Sequence, residues 1–273
     1  MQPTRKESPT AVKRRLRHCP LNCSSLTAPV IRHLSDFFAV IDTTLDDLRT
    51  FWFRGHANIT FRLAPSALRY SETSDREVAL NLVHDVKRYL RIKLPQPPDD
   101  ADELGWMQVA QHFGLPTRLL DWTLNAAVAL FFTCCSHEDE DGLVAILDPD
   151  QLNQNKDPKC HRIFDAQRDA QIIGRYFKLG GRTRRNGLPT IAINPTWNTE
   201  RIAIQQGAFT LHGSRNFDLN AGEAPSLMYI PILKEYKPKL LAELQRVGIG
   251  EMFIFPEPEH VCSHLKRLAG LHN

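Results

Sequence analysis

No stretch of this sequence approaches the roughly 18 uninterrupted apolar residues that a membrane-spanning helix needs, and no apolar segment follows the basic N-terminal residues as a secretory leader would require. A cytoplasmic protein is therefore expected. Cysteine is sparse. The six cysteines stand at positions 19, 23, 134, 135, 160 and 262, without the paired short spacings of a zinc ribbon or the density of a disulfide scaffold. Reduced thiols and no metal are the expectation. His18 with Cys19 and Cys23, and Cys262 with His264, come nearest to ligand sets, but four convergent ligands cannot be assembled from them. The Walker loop, GxGxxG and HExxH are also missing, which disfavours nucleotide hydrolysis, Rossmann dehydrogenation and zincin proteolysis. A net charge of +3 is too small to imply a nucleic-acid partner by itself.

What is present is a chain of 273 residues, 42% hydrophobic and 24% charged, enough for one large domain. Residues 1–27 form a basic arm carrying Arg5, Lys6, Lys13, Arg14, Arg15 and Arg17, broken by Pro3, Pro9 and Pro20. Its composition predicts a flexible segment, with phosphate contact as the alternative. Residues 28–273 are expected to form the folded domain.

Apolar spacing from Val30 to Ile41 predicts an opening helix, and TFWFRG at Thr50–Gly55 an aromatic strand. Pro65 and Ser66 read as a short helix start. SDRE at Ser74–Glu77 has capping-box spacing before a helix that ends ahead of Pro95. A further helix through Leu104–Ala110 stops at Gly114, and Asp121 or Thr123 is expected to cap a compact apolar helix around Ala126–Phe132. GLVAIL at Gly142–Leu147 reads as a central strand, with further strands at Thr190–Asn194, Arg201–Leu211 and Leu227–Leu233. Arg162–Lys178 reads as a helix and GGRTRRNG after it as a basic loop. Lys239–Val247 reads as a helix, Glu251–Phe255 as a strand and Val261–Leu268 as a closing helix. The expected architecture is α+β, an irregular mixed sheet flanked by helices.

The most informative stretch is QHFGLPTRLLDWT at Gln111–Thr123. Gly114 and Pro116 fix the backbone direction, while Thr117, Arg118, Asp121 and Thr123 set polar groups among Leu119, Leu120 and Trp122. Half-buried polar groups at that density satisfy one another or hold a ligand.

FRG at Phe53–Gly55, PSALR at Pro65–Arg69, QHFGLPTRLLDWT with the following AVALFF, RIAIQQGAFTLHG and GIGEMFIFP together resemble the FRG domain, a bacterial and phage family. More remotely, the order of elements resembles mono-ADP-ribosyltransferases. In those enzymes a first strand supplies Arg or His followed by Gly, a second carries hydroxyl residues before a small apolar helix, and a third supplies a catalytic Glu. That resemblance implies NAD as substrate, a protein or nucleic-acid acceptor, and a toxin, antiphage or phage–host conflict role. It implies a cleft between the FRG strand and the LPTRLLDWT junction.

Residue by residue, Arg54 would bind pyrophosphate and Gly55 would let the ligand approach the backbone. Arg54, His112 and Asp121 are the candidate catalytic residues; Thr117, Arg118, Trp122, Thr123 and Gln206 join Arg54 and Gly55 as candidate nucleotide contacts. The third element departs from the pattern, because Gln205 and Gln206 are neutral and Asp121 would have to supply the carboxylate. Each residue also has a structural reading: Arg54 in an internal salt bridge, Asp121 as a cap, His112 as a packing group, Trp122 in the core. The competing function is a nucleic-acid-binding or regulatory module using Arg182, Arg184, Arg185 and the arm.

Overall fold

The computed structural model describes residues 29–156, 162–177, 188–197, 199–213, 218–219 and 226–271. The basic arm, with Cys19 and Cys23, and Arg182, Arg184 and Arg185 lie outside the described residues.

In chain order the elements are α1 (Leu34–Thr44), β1 (Trp52–His56), a 3-10 turn (Ser66–Leu68), α2 (Thr73–Leu90), α3 (Glu103–His112), β2 (Leu119–Thr123) and α4 (Ala126–Cys134). Then follow β3 (Gly142–Leu147), α5 (Pro149–Lys156), β4 (Phe164–Asp165), α6 (Ala170–Gly174), β5 (Ile191–Asn194), α7 (Glu200–Ile204) and β6 (Gly207–Leu211). The chain closes with β7 (Leu227–Ile232), α8 (Lys237–Arg246), α9 (Glu251–Ile254) and α10 (Pro258–Leu268). This is an α+β fold. Among the described residues no helix is long and apolar enough to cross a membrane.

The chain divides into two compact units, each assembled from separated segments. The first takes residues up to Phe61, then Asn125–Ile146 and Leu227 onward. Its strands lie in the order β1, β3, β7. Helix α4 is apolar all round and almost wholly buried, as its sequence requires. It shares one core with Phe37, Phe53, Val144, Ile230, Leu240 and Leu244.

The second unit takes Arg62–Leu124 and Leu147–Ser226, with strands in the order β4, β5, β6, β2. β2 and β6 run antiparallel, pairing Leu119 with Leu211 and Asp121 with Phe209. β6 and β5 are also antiparallel, whereas β4 and β5 are parallel. Helices α2 and α3 pack Val83, Val86, Trp106 and Met107 into a core with Leu119, Ile173, Ile193 and Phe209.

Several local expectations are corrected. Arg201–Leu211 is not one strand: Thr199 caps a short helix through its hydroxyl, which accepts from Ile202 N at 3.2 Å, and β6 begins only at Gly207. Glu251–Phe255 is a helical turn following Gly250, not a strand. Arg162–Lys178 is not a continuous helix. Asp165 Oδ1 accepts from the amides of Gln167 and Arg168, turning the chain before α6 starts at Ala170. Ser74 lies inside α2, whose N-cap is Glu72, so SDRE does not form its capping box. Asp121 and Thr123 belong to β2; Asn125 caps α4, its side chain accepting from Ala127 N and Val128 N.

Candidate functional site

The end of α3 positions the central polar constellation. Gly114 adopts φ +83°, a left-handed conformation that costs a glycine little, and Leu115 N donates back to Ala110 O at 2.9 Å. The chain then turns through Pro116 into Thr117 and β2. Gln111 is thereby brought beside both. The Thr117 hydroxyl donates to Gln111 Oε1, and Gln111 Nε2 donates to Asp121 Oδ1 at 2.5 Å.

The PSALR segment docks on the same junction. Thr117 N donates to Ser66 Oγ at 3.2 Å, and Ala67 N donates to Thr117 O at 3.0 Å. Arg69 follows one turn later, its Nε donating to Ala64 O at 2.8 Å. Burial pulls the Arg69 pKa below its ordinary value, and the charge of Asp121 opposes that fall. A carboxylate, a carboxamide, two hydroxyls and a guanidinium thus share one region of the second unit.

Strand β2 buries every residue except one. Leu119, Leu120, Trp122 and Thr123 are buried and Asp121 is exposed. The carboxylate is therefore oriented by an amide while remaining open to solvent.

The other expected residues separate. Trp122 is 3% exposed and its Nε1 donates to Thr210 Oγ1 at 3.0 Å, so it is a core residue rather than a stacking platform. Thr210 Oγ1 lies 2.8 Å from His212 Nε2, and His212 Nδ1 lies 3.4 Å from Thr190 Oγ1. The Trp122 indole, the Thr210 and Thr190 hydroxyls and the His212 ring thus form one buried polar cluster behind β2. Thr123 donates to Gln205 O at 2.5 Å, a tie between backbone segments. Gln206 contributes its backbone: at φ +47° it turns the chain, and its carbonyl accepts from Leu124 N at 3.0 Å.

His112 is the last residue of α3, packed edge-on against Phe113 at 4.9 Å between ring centroids. Its neighbour Gln111, rotated by about 100° around the helix, is the one that reaches Asp121. Arg118 is buried away from the Asp121 hydrogen bonds, its Nη1 donating to His212 O at 3.4 Å.

Arg54 and Gly55 belong to the first unit. Arg54 Nε donates to His56 Nε2 at 3.3 Å. At Gly55 an added Cβ would lie 2.0 Å from Ala129 O and 2.8 Å from Thr133 N, so the glycine is explained by close packing of α4 on β1. Sequence reasoning missed Lys237, which is fully buried. Its Nζ donates to Ala57 O at 2.6 Å, His137 O at 2.9 Å and Ser136 O at 3.4 Å, tying two loops together. It also missed the roles of Ser66, Arg69 and Gln111, although all three stood in motifs already singled out. Among the described residues no group of three or more His, Cys, Asp or Glu is placed to hold a metal ion.

Comparison with known families matches residues 49–142, about a third of the chain, to the model described as the FRG domain. The matched span contains β1, PSALR and the whole Gln111–Thr123 junction; RIAIQQGAFTLHG and GIGEMFIFP lie beyond it. No curated protein matches the chain, and no solved structure matches it.

Proposed function

The chain carries an FRG domain at residues 49–142, and from that premise we propose that it is an ADP-ribosyltransferase-like effector that binds NAD, or a related nucleotide, around Asp121. The observation that carries this reading is the exposed Asp121 carboxylate, oriented by Gln111 in a strand that buries its other side chains.

In the proposed reaction the bond between nicotinamide nitrogen and the ribosyl anomeric carbon breaks, its electron pair leaving with neutral nicotinamide. Positive charge then develops on the ribosyl carbon and ring oxygen, where a preorganised carboxylate stabilises it. An acceptor nucleophile on protein or nucleic acid, or water, forms the new bond and gives up its proton. Asp121 supplies the charge, and Gln111 and Thr117 hold its orientation. Arg69 is the nearby guanidinium suited to a pyrophosphate oxygen. Arg54, in the other unit, carries no part of this proposal.

The effector role, as a toxin or in antiphage defence, rests on this chemistry. Calorimetric titration of the full chain with NAD tests the site. Saturable binding that weakens by about tenfold or more in a folded Gln111→Leu variant is expected, since the carboxylate then loses its orienting donor. Absence of binding would overturn the reading in favour of a regulatory or nucleic-acid module.

A further inference from the structure

A second chemistry-bearing region of the second unit lies apart from the Asp121 hydrogen bonds. Arg118 is 9% exposed and lines a cavity with Trp106, Met107, Tyr176 and Phe177. Among the described residues its guanidinium makes one long hydrogen bond, to His212 O at 3.4 Å, and enters no ion pair with a carboxylate. A buried arginine is ordinarily compensated by a carboxylate and several acceptors, because an uncompensated charge in a low-dielectric interior is costly.

Of the groups at the cavity that could neutralise Arg118, Glu103 is exposed to solvent and the other two are otherwise engaged. Tyr176 is the residue whose charge would favour the guanidinium, but burial pushes its phenol well above the ordinary value, and its hydroxyl donates to Pro189 O at 2.7 Å. It is therefore neutral and its proton committed. Asp100 lines the cavity as well, yet it lies 2.6 Å from Arg91 Nη1 and 3.6 Å from Lys87 Nζ. Burial lowers the Arg118 pKa to about 10, which still leaves it charged at neutral pH.

We propose that this cavity is a binding site for a small monocarboxylate with a short apolar body, the carboxylate received by the Arg118 guanidinium. The planar fork of arginine matches a carboxylate with two parallel hydrogen bonds. The cavity measures about 60 Å³, and at roughly 10–15 Å³ for each water-sized group it admits about four to six non-hydrogen atoms. Trp106, Met107 and Phe177 give the ligand body apolar walls. Lys87 at the same cavity is matched by Asp100, which leaves the single charge of Arg118 to be met and favours a monoanion over a phosphate dianion.

The inference is independent of the NAD reading and uses different residues. Its test is an NMR titration of the full chain with isobutyrate, isobutyramide and inorganic phosphate. Isobutyrate is expected to bind saturably, with the amide and phosphate weaker by about tenfold or more. Leu80→Trp fills the cavity from a half-buried position on α2 and leaves Arg118 in place; it is expected to abolish binding, as is Arg118→Gln. Should Arg118→Gln fail to fold, the cavity-filling variant decides. No saturable isobutyrate binding, equal binding of isobutyramide or phosphate, or binding that survives Leu80→Trp would overturn the proposal.

Discussion

At the scale of single residues, two carboxylates of the second unit have opposite surroundings. Asp121 is exposed and oriented by the Gln111 amide, whereas Asp169 is buried and committed to structure. Arg162 donates to both oxygens of Asp169, each at 2.6 Å, and Asp165 N donates to Oδ2 at 2.8 Å. The Arg162 hydrogen bonds chiefly, with the Asp165 amide, hold the Asp169 carboxyl below its ordinary value of 3.8. In acid the unfolded chain therefore binds this proton first. The stabilisation is fully present above the ordinary carboxylate value and is lost as pH falls through the lower folded value. Asp169→Asn is expected to cost about 1 kcal/mol at pH 7, a modest figure because Arg162 is half exposed. Urea denaturation from neutral pH down to acid should also show a shallower decline for the variant than for the parent chain. An unchanged pH profile would mean that the pair contributes nothing.

At the scale of elements, helix α4 against β1 makes the sharpest demand. Gly55→Ala places a methyl group against Ala129 O, a backbone atom that cannot rotate away. A loss of about 3 kcal/mol is expected from denaturant unfolding, because overpacking must displace the helix itself. A loss under 0.5 kcal/mol would show that the contact is readily relieved.

The elements also show which signals were legible in the sequence. GLVAIL and LMYIPI were readable as strands because both are short apolar runs rich in branched residues, and α4 because nine residues at Ala126–Cys134 are nearly all apolar. Helix α5 escaped notice because Pro149–Lys156 is polar and lacks a strong apolar period; its start is marked by Asp148 Oδ1 accepting from Gln151 N at 2.9 Å. IAI within Glu200–Ile204 looked like a strand because three apolar residues cannot distinguish a strand from one helical turn. Thr199 was the available signal for the helix. EMFI posed the same ambiguity, with Gly250 before it. The density of polar groups from Gln111 to Thr123 did foretell that they satisfy one another, as Gln111 does with Thr117 and Asp121. The partition of Asp121 from Trp122 and Arg118 was not legible, because it depends on which strand face meets the core and on β6, some 90 residues later in sequence.

At the scale of the whole molecule, both units are built from distant segments. β1 and α4 share their core with Ile230, Ile232, Leu240 and Leu244 from the C-terminal part, and β2 pairs with β6. The segment 49–142 that carries the family match consequently contains incomplete hydrophobic clusters. Expressed alone, it is expected to be unfolded or molten, with poor amide dispersion in a proton–nitrogen NMR spectrum. A well-dispersed spectrum with cooperative unfolding would contradict this description of the two cores.

The central functional claim is that the exposed Asp121 carboxylate assists cleavage of the nicotinamide–ribose bond. It is tested most directly by mass-spectrometric measurement of nicotinamide released from NAD by the full chain and by a folded Asp121→Asn variant. Release by the parent chain and a fall of about a hundredfold or more in the variant, corresponding to roughly 2.7 kcal/mol of lost transition-state stabilisation, is the predicted result. No release by the parent chain, or equal release by Asp121→Asn, would contradict it.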